Sequence, residues 1–330
     1  MHWHSLGLRA LSRDQFGIVC LPQFFHMEAT MRSWIGQGVF SLGIMSTFLV
    51  PTAQAGDYTF RVIAKNLSRP LGIAVSGSAM LYFTQVPTPG VAGGTNSVAE
   101  LDLENGAITI LHQGEPEPTN IVVDREENLY WTCKSAGVIL KQNEAGVTTP
   151  ILTKLNKPSG IAVDRRGNIY FTEVPTPGVP GRKNGVSVFD GTTKTVLHTG
   201  EPEPTDIVVS RHGELYWTCK SAGVILEQTG GVTSVLVNGL NKPTGIALSK
   251  NGRKLYFTEV PTPGVPGTRG GKNTVKVLNL RTKEIRVIHA GDPEPTDVAV
   301  ARNGDVYWTC TSAGVIIEAK LQRRNEDADD

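Results

Sequence analysis

From Arg69 onward the chain is a succession of short apolar runs, each a few residues long and closed by Gly, Asp, Asn or Pro. Ile161-Ala162-Val163 leads into the polar segment Asp164 to Asn168 and then into Ile169 to Thr172. Two further alternating stretches follow, Gly185 to Phe189 and Thr193 to His198. Runs this short, with a period near two and turn residues between them, predict strands and exclude amphipathic helices. Their Val, Ile, Tyr, Phe and Thr content fits four strands of one small antiparallel sheet.

That unit recurs. KPSGIAVDRRGNIYFTEVPTPGV from Lys157 has copies from Arg69 and Lys242. EPTDIVVSRHGELYWTCKSAGVIL from Glu203 has copies from Glu117 and Glu294. The two kinds alternate, and their shared proline falls at 70, 118, 158, 204, 243 and 295. Spacings of 39 to 52 residues match one four-stranded propeller blade. The expected fold is therefore all-β, a six-bladed β-propeller made of three double-blade repeats and covering residues 56–320. A lone four-stranded sheet cannot bury both faces, whereas six arranged radially cover one another. The sixth unit lacks an outer strand, and the N-terminal stretch Phe60 to Leu67 matches the outer strands of the other blades. It is expected to close the ring and protect an edge.

Ahead of the repeats, Met31 to Ala55 has one Arg, an apolar stretch from Trp34 to Val50, and Ala53-Gln54-Ala55. These are the parts of a secretory signal peptide, with cleavage expected before Gly56 and an extracellular destination. Residues 1–30 read as an extension outside the fold, and 321–330 as a disordered acidic tail. Asn66-Leu67-Ser68 is a glycosylation sequon. The chain has 32 Lys+Arg against 31 Asp+Glu, and the body stays balanced once residues 1–55 are set aside. Balance argues against nucleic acid, and no later segment is apolar enough for a membrane span. A monomer is expected.

Two loop sets are expected at one mouth of the central channel, where function usually lives. One is Gly-Glu-Pro-Glu-Pro-Thr-Asn/Asp, at 114–120, 200–206 and, with Asp292, 291–297. The other is the Pro-rich loop after Gln85, Glu173 and Glu259. Together they predict an acidic, Pro-rich mouth, with Glu117, Glu203, Glu294, Gln85, Lys134 and Lys220 as ligand-binding candidates. Asn120, Asp206 and Asp297 begin alternate inner strands, where the other units have Gly72, Gly160 and Gly245. Three oxygen-bearing side chains about one axis suit Ca²⁺ or Mg²⁺; alternatively each caps its own turn. Glu173, Glu259 and His198 are the catalytic candidates. His112, His198 and His289 lie near the rim, where packing competes with a general-base role. Cys133, Cys219 and Cys310 lie too far apart to pair in a propeller and share a strand face with Trp. They are expected to be buried, the other reading being a thiolate helped by Lys134 or Lys220.

The pattern P-x-G-I-A-V-D-x-x-G-N-I-Y-F-T-E resembles NHL repeats and the strands of the senescence-marker-protein/gluconolactonase and strictosidine-synthase-like propellers. Leu129-Tyr130-Trp131-Thr132 and its copies resemble YWTD propellers. The resemblance implies the six-bladed fold and, from the gluconolactonase side, metal ligands just before the inner-strand Gly. Leu71, Ser159 and Thr244 stand there, and the Asn and Asp residues come one place later in the alternate blades. Two functions follow as expectations. One is a propeller binding a small molecule, peptide or glycan at its mouth, with metal-assisted hydrolysis of a lactone or ester as its enzymatic form. The other is a non-catalytic protein-binding propeller.

Overall fold

The computed structural model describes residues 57–322 except Ser78, 88–94, 176–182, Glu201 and 262–271. The expected signal peptide, the N-terminal extension, residues 323–330 and most of the Pro-rich loops lie outside the described residues.

Among the described residues, twenty-four strands form six four-stranded antiparallel sheets. Blade 1 comprises Pro70–Val75, Met80–Gln85, Ser97–Asp102 and Ile108–Gln113, from the axis outward. Blades 2, 3, 4 and 5 begin at Pro118–Val123, Pro158–Val163, Pro204–Val209 and Pro243–Leu248 and repeat this order. Blade 6 takes Pro295–Val300, Val306–Cys310 and Val315–Leu321 from the C-terminal end, and its outer strand is Tyr58–Ala64. The ring therefore closes as expected, with Tyr58 opposite Leu321 and Val62 opposite Ile317.

The core is six separate layers, one at each blade interface, because each sheet is apolar on both faces. The second strands show why the two repeat types alternate. In blade 2, Trp131 and Cys133 face blade 1, against Ala74, Tyr82 and Val98. Tyr130 faces the other way, against Ile161, Ile169 and Phe171 of blade 3. Period-two alternation thus commits neighbouring residues to opposite interfaces. Trp131, Trp217, Trp308, Phe83, Phe171 and Phe257 are all fully buried, and each is worth roughly 2–3 kcal/mol of hydrophobic burial.

Candidate functional site

The residues nearest the axis follow from one irregularity repeated in every blade. Pairing between the first two strands runs from Pro70↔Gln85 directly to Ile73↔Phe83, and the same break recurs five times. A threonine fills the gap it leaves. Thr84, Thr132, Thr172, Thr218, Thr258 and Thr309 are fully buried. Each accepts the N–H of the third inner-strand residue, at 2.8 to 3.2 Å. Each hydroxyl then donates to a carbonyl of the next blade. Thr132 reaches Ser159 O at 2.7 Å, and Thr309 reaches Leu71 O at 2.6 Å, closing blade 6 onto blade 1. One hydroxyl thus satisfies two backbone groups that the bulge leaves buried.

Inside this ring, Asn120, Asp206 and Asp297 converge. Three side chains fit on the axis because the intervening position is glycine. A Cβ on Gly160 would lie 2.5 Å from the Asp206 Cα, and one on Gly72 would lie 2.6 Å from the Asn120 Cα. Asn120 Nδ2 donates to Asp206 Oδ1 at 3.2 Å and to Asp297 Oδ2 at 3.3 Å. Asp206 also accepts its neighbour Ile207 N–H and, from blade 5, Ile246 N–H, both at 2.8 Å. Asp297 accepts Val298 N–H at 2.8 Å and, from blade 1, Ile73 N–H at 2.9 Å. The turn-capping expectation holds in part, since each carboxylate bonds its own strand and also ties its blade to the next.

The two carboxyls, bridged by Asn120, also act on each other. Burial, reinforced by the charge of Asp297, holds Asp206 far above the ordinary carboxylate range. Burial pushes Asp297 up to about 7 against the pull of its two backbone donors. The arrangement fits a shared proton. Every carboxylate oxygen already accepts a backbone N–H, and the amide between them presents hydrogens, so Ca²⁺ or Mg²⁺ here would have to displace that amide from both carboxylates. Among the described residues no three His, Cys, Asp or Glu side chains are placed to hold a metal. The structure thus brings Asn120, Asp206 and Asp297 together on the axis as expected, as a hydrogen-bonded trio.

Above the trio opens a funnel of about 1120 Å³, counted with the solvent inside it. Glu117, Glu203, Glu294, Lys134 and Lys220 line it as expected, together with Arg69. Three bases thus stand beside three glutamates, with Asp206 and Asp297 at the floor. Six charged residues share one backbone position around the ring, and four of them, Arg69, Glu117, Glu203 and Glu294, line the funnel. Arg69, Glu117, Lys157, Glu203, Lys242 and Glu294, each just before the inner-strand proline, have φ between 49° and 56°. A residue before proline is normally extended, and left-handed backbone in a side-chain-bearing residue concentrates at functional sites. Read round the ring, the six alternate base and acid. Lys134 Nζ lies 3.7 Å from Glu117, and Glu203 accepts the Ser221 hydroxyl. The hydroxyls below are paired: Thr205 with Thr218 at 2.9 Å, Thr244 with Thr258 at 2.8 Å, and Ser159 with Thr205 O at 2.9 Å.

The other candidates lie away from this funnel. Gln85, Glu173 and Glu259 are buried and clamp the linker entering their blade. Their side-chain oxygens accept the N–H of Ser68, Asn156 and Asn241, each at 2.8 Å. Glu173 further meets Lys194 Nζ at 2.6 Å, and Glu259 meets Lys276. Blade 1 has Ile108 and Ala99 at those two lysine positions and carries the neutral Gln85. His198 packs on Trp217, its ring centroid 5.4 Å away, as His112 and His289 pack on Trp131 and Trp308. Cys133, Cys219 and Cys310 are buried, and none forms a disulfide among the described residues. Burial pushes the Cys133 thiol up to about 12 and Cys310 also upward, which works against a thiolate at either.

No family model matches the chain. Over 104 residues, 29% of its length, it is 32% identical to the low-density lipoprotein receptor-related protein 5 of Mus musculus, and the match spans 6% of that protein. Solved propellers resemble it over most of its length. A gluconolactonase from Xanthomonas campestris has a TM-score of 0.66 at 16% identity, covering 81% of this chain and 91% of that one. Regucalcin from Agrobacterium tumefaciens, a calcium-binding protein, has 0.63 at 12%, covering 80% and 94%. A streptogramin B lyase has 0.58 at 19%, covering 82% and 100%. At these identities the likeness establishes the six-bladed propeller fold.

Proposed function

We propose that the protein is a binding propeller whose charge-alternating mouth takes an extended polar ligand, such as a peptide, that carries both signs of charge. The observation that carries this reading is the ring of six charged residues held at one left-handed position with alternating sign. Left-handed backbone costs of order 1–3 kcal/mol at each such residue, a cost that presenting side chains to a ligand would explain. The repeat adds support, since three near-identical double blades offer repeated contacts and no single reacting group. Export is part of the proposal and rests on the 31–55 segment.

The second reading is hydrolysis of a lactone or ester, favoured by the resemblance to the Xanthomonas gluconolactonase. It needs an acid or base free to act, and Glu173, Glu259 and His198 are engaged in linker clamps and Trp packing. A peptide array probed with the full chain separates the two. Peptides alternating acidic and basic residues are expected to bind, with Lys134→Ala and Lys220→Ala each weakening binding about tenfold through a lost charged hydrogen bond. Gluconolactone should not be turned over, with or without Ca²⁺. Turnover that disappears in Asp206→Asn would establish the hydrolase instead.

A further inference from the structure

At the end of the channel opposite the charged mouth, each inner strand turns into the second strand. The second residue of that turn is Arg125, Arg165, Arg211, Lys250 and Arg302 in blades 2 to 6, and Gly77 in blade 1. The missing side chain leaves a gap in a ring of cations, and the Arg302 guanidinium lies across it. A Cβ on Gly77 would sit 2.9 Å from Arg302 Cζ. Arg125, Arg165 and Arg302, from three different blades, thereby line one pocket beside Ser76 and Gly77.

Two carboxylates also line the pocket, and both are already saturated. Asp124 accepts Glu126 N–H, Asn128 N–H, Asn128 Nδ2 and Tyr130 OH at 2.8 to 3.0 Å. Asp164 accepts Arg166 N–H, Asn168 N–H and Asn168 Nδ2 at 2.8 to 2.9 Å, and Tyr170 OH at 3.4 Å. Among the described residues, none of the three guanidiniums has an ion pair. Three forks of like charge around one gap repel each other until an anion enters, and planar forks match the paired oxygens of a tetrahedral oxyanion.

We propose that this pocket binds a tetrahedral oxyanion, phosphate or sulfate, either free or as an ester. The site is separate from the charged mouth and stands whether or not that mouth binds a peptide. Inorganic phosphate titrated into the full chain is the direct probe, followed by its phosphorus NMR line width. Broadening with a dissociation constant of about 1 mM or tighter is expected, reversed by sulfate and not by chloride at equal ionic strength. The double variant Arg165→Gln/Arg302→Gln should weaken binding at least about tenfold. Gly77→Asp, which places a carboxylate in the gap without removing an arginine, should abolish it while melting as wild type does. Lys134→Gln/Lys220→Gln, on the other mouth, should leave it unchanged. Tighter competition by sulfate than by phosphate would assign the site to sulfate esters, and the reverse to phosphate esters. No broadening in the wild type, equal broadening in the arginine double variant, or loss in the lysine double variant would each overturn the proposal.

Discussion

Asp206→Ala should destabilise the propeller by about 3–5 kcal/mol, the sum of several buried donors left without a partner. Ile207 and Ile246 lose the acceptor of their N–H groups, and Asn120 loses one of its two carboxylates. Each buried donor without a partner costs about 1–3 kcal/mol, partly offset by release of the repulsion between two acids. Gly160 on one side offers nothing to refill the space. Asp206→Asn is the informative control. It keeps the volume and one carbonyl oxygen but turns an NH₂ towards a backbone N–H, so a loss of about 1–2 kcal/mol is expected. Urea unfolding with an unchanged slope measures both. A cost below about 1 kcal/mol for the alanine variant would mean that the blades are not tied through this side chain.

Removing the closing strand, by starting the chain at Lys65, should cost on the order of 5 kcal/mol from lost aromatic and aliphatic burial alone. Phe60 packs 4.7 Å from the His289 ring and 6.3 Å from that of Trp308, and Tyr58 reaches the Tyr256 hydroxyl at 3.4 Å. Arg61 pairs with Glu318, which is buried and otherwise bonded to Tyr307 OH at 3.1 Å. Truncation would strand that carboxylate and open the edge of Val315–Leu321, the third strand of blade 6. Hydrogen exchange should show protection falling first in Val315–Leu321 while Ile169–Glu173 of blade 3 stays slow. Equal loss in all blades would show a ring that opens as one unit, and no loss would show that the strand does not hold the ring shut.

What could be read from the sequence tracks what repetition encodes. Blade number, strand order and closure followed from the six prolines and the unpaired outer strand. Burial of Cys133 followed from its sharing a strand face with Trp131. The fate of Glu173 and Glu259 was hidden, because facing a mouth and clamping a linker require the same residue at the same strand end. The substitution of Gln85 where blade 1 lacks a lysine partner was the available clue. The threonine ring was hidden for a different reason. Thr is an ordinary strand residue, and its double role appears only once the bulge between Pro70 and Ile73 leaves a backbone N–H to satisfy. The basic half of the charged ring went unseen because Arg69, Lys157 and Lys242 precede proline in the other repeat type, and the left-handed turn that aligns the two types is a backbone property.

The proton held between Asp206 and Asp297 is tested by thermal melts of the full chain at pH 5 and pH 8, in chelator and in Ca²⁺ or Mg²⁺. Both carboxyls have folded-state values raised above the unfolded value of about 3.9. The folded protein therefore binds more protons than the unfolded chain from about pH 4 upward, and stability falls as pH rises through about 7, the folded value of Asp297. The opposing effect of Asp190, held below the usual range by the N–H groups of Thr193 and Thr192, acts only below about pH 4. The account predicts a higher melting temperature at pH 5 than at pH 8, a smaller difference in Asp297→Asn, and no change on adding either metal. A melting temperature that climbs with Ca²⁺ or Mg²⁺ at pH 8, and loses that rise in Asp297→Asn, would contradict it and place a cation on the axis.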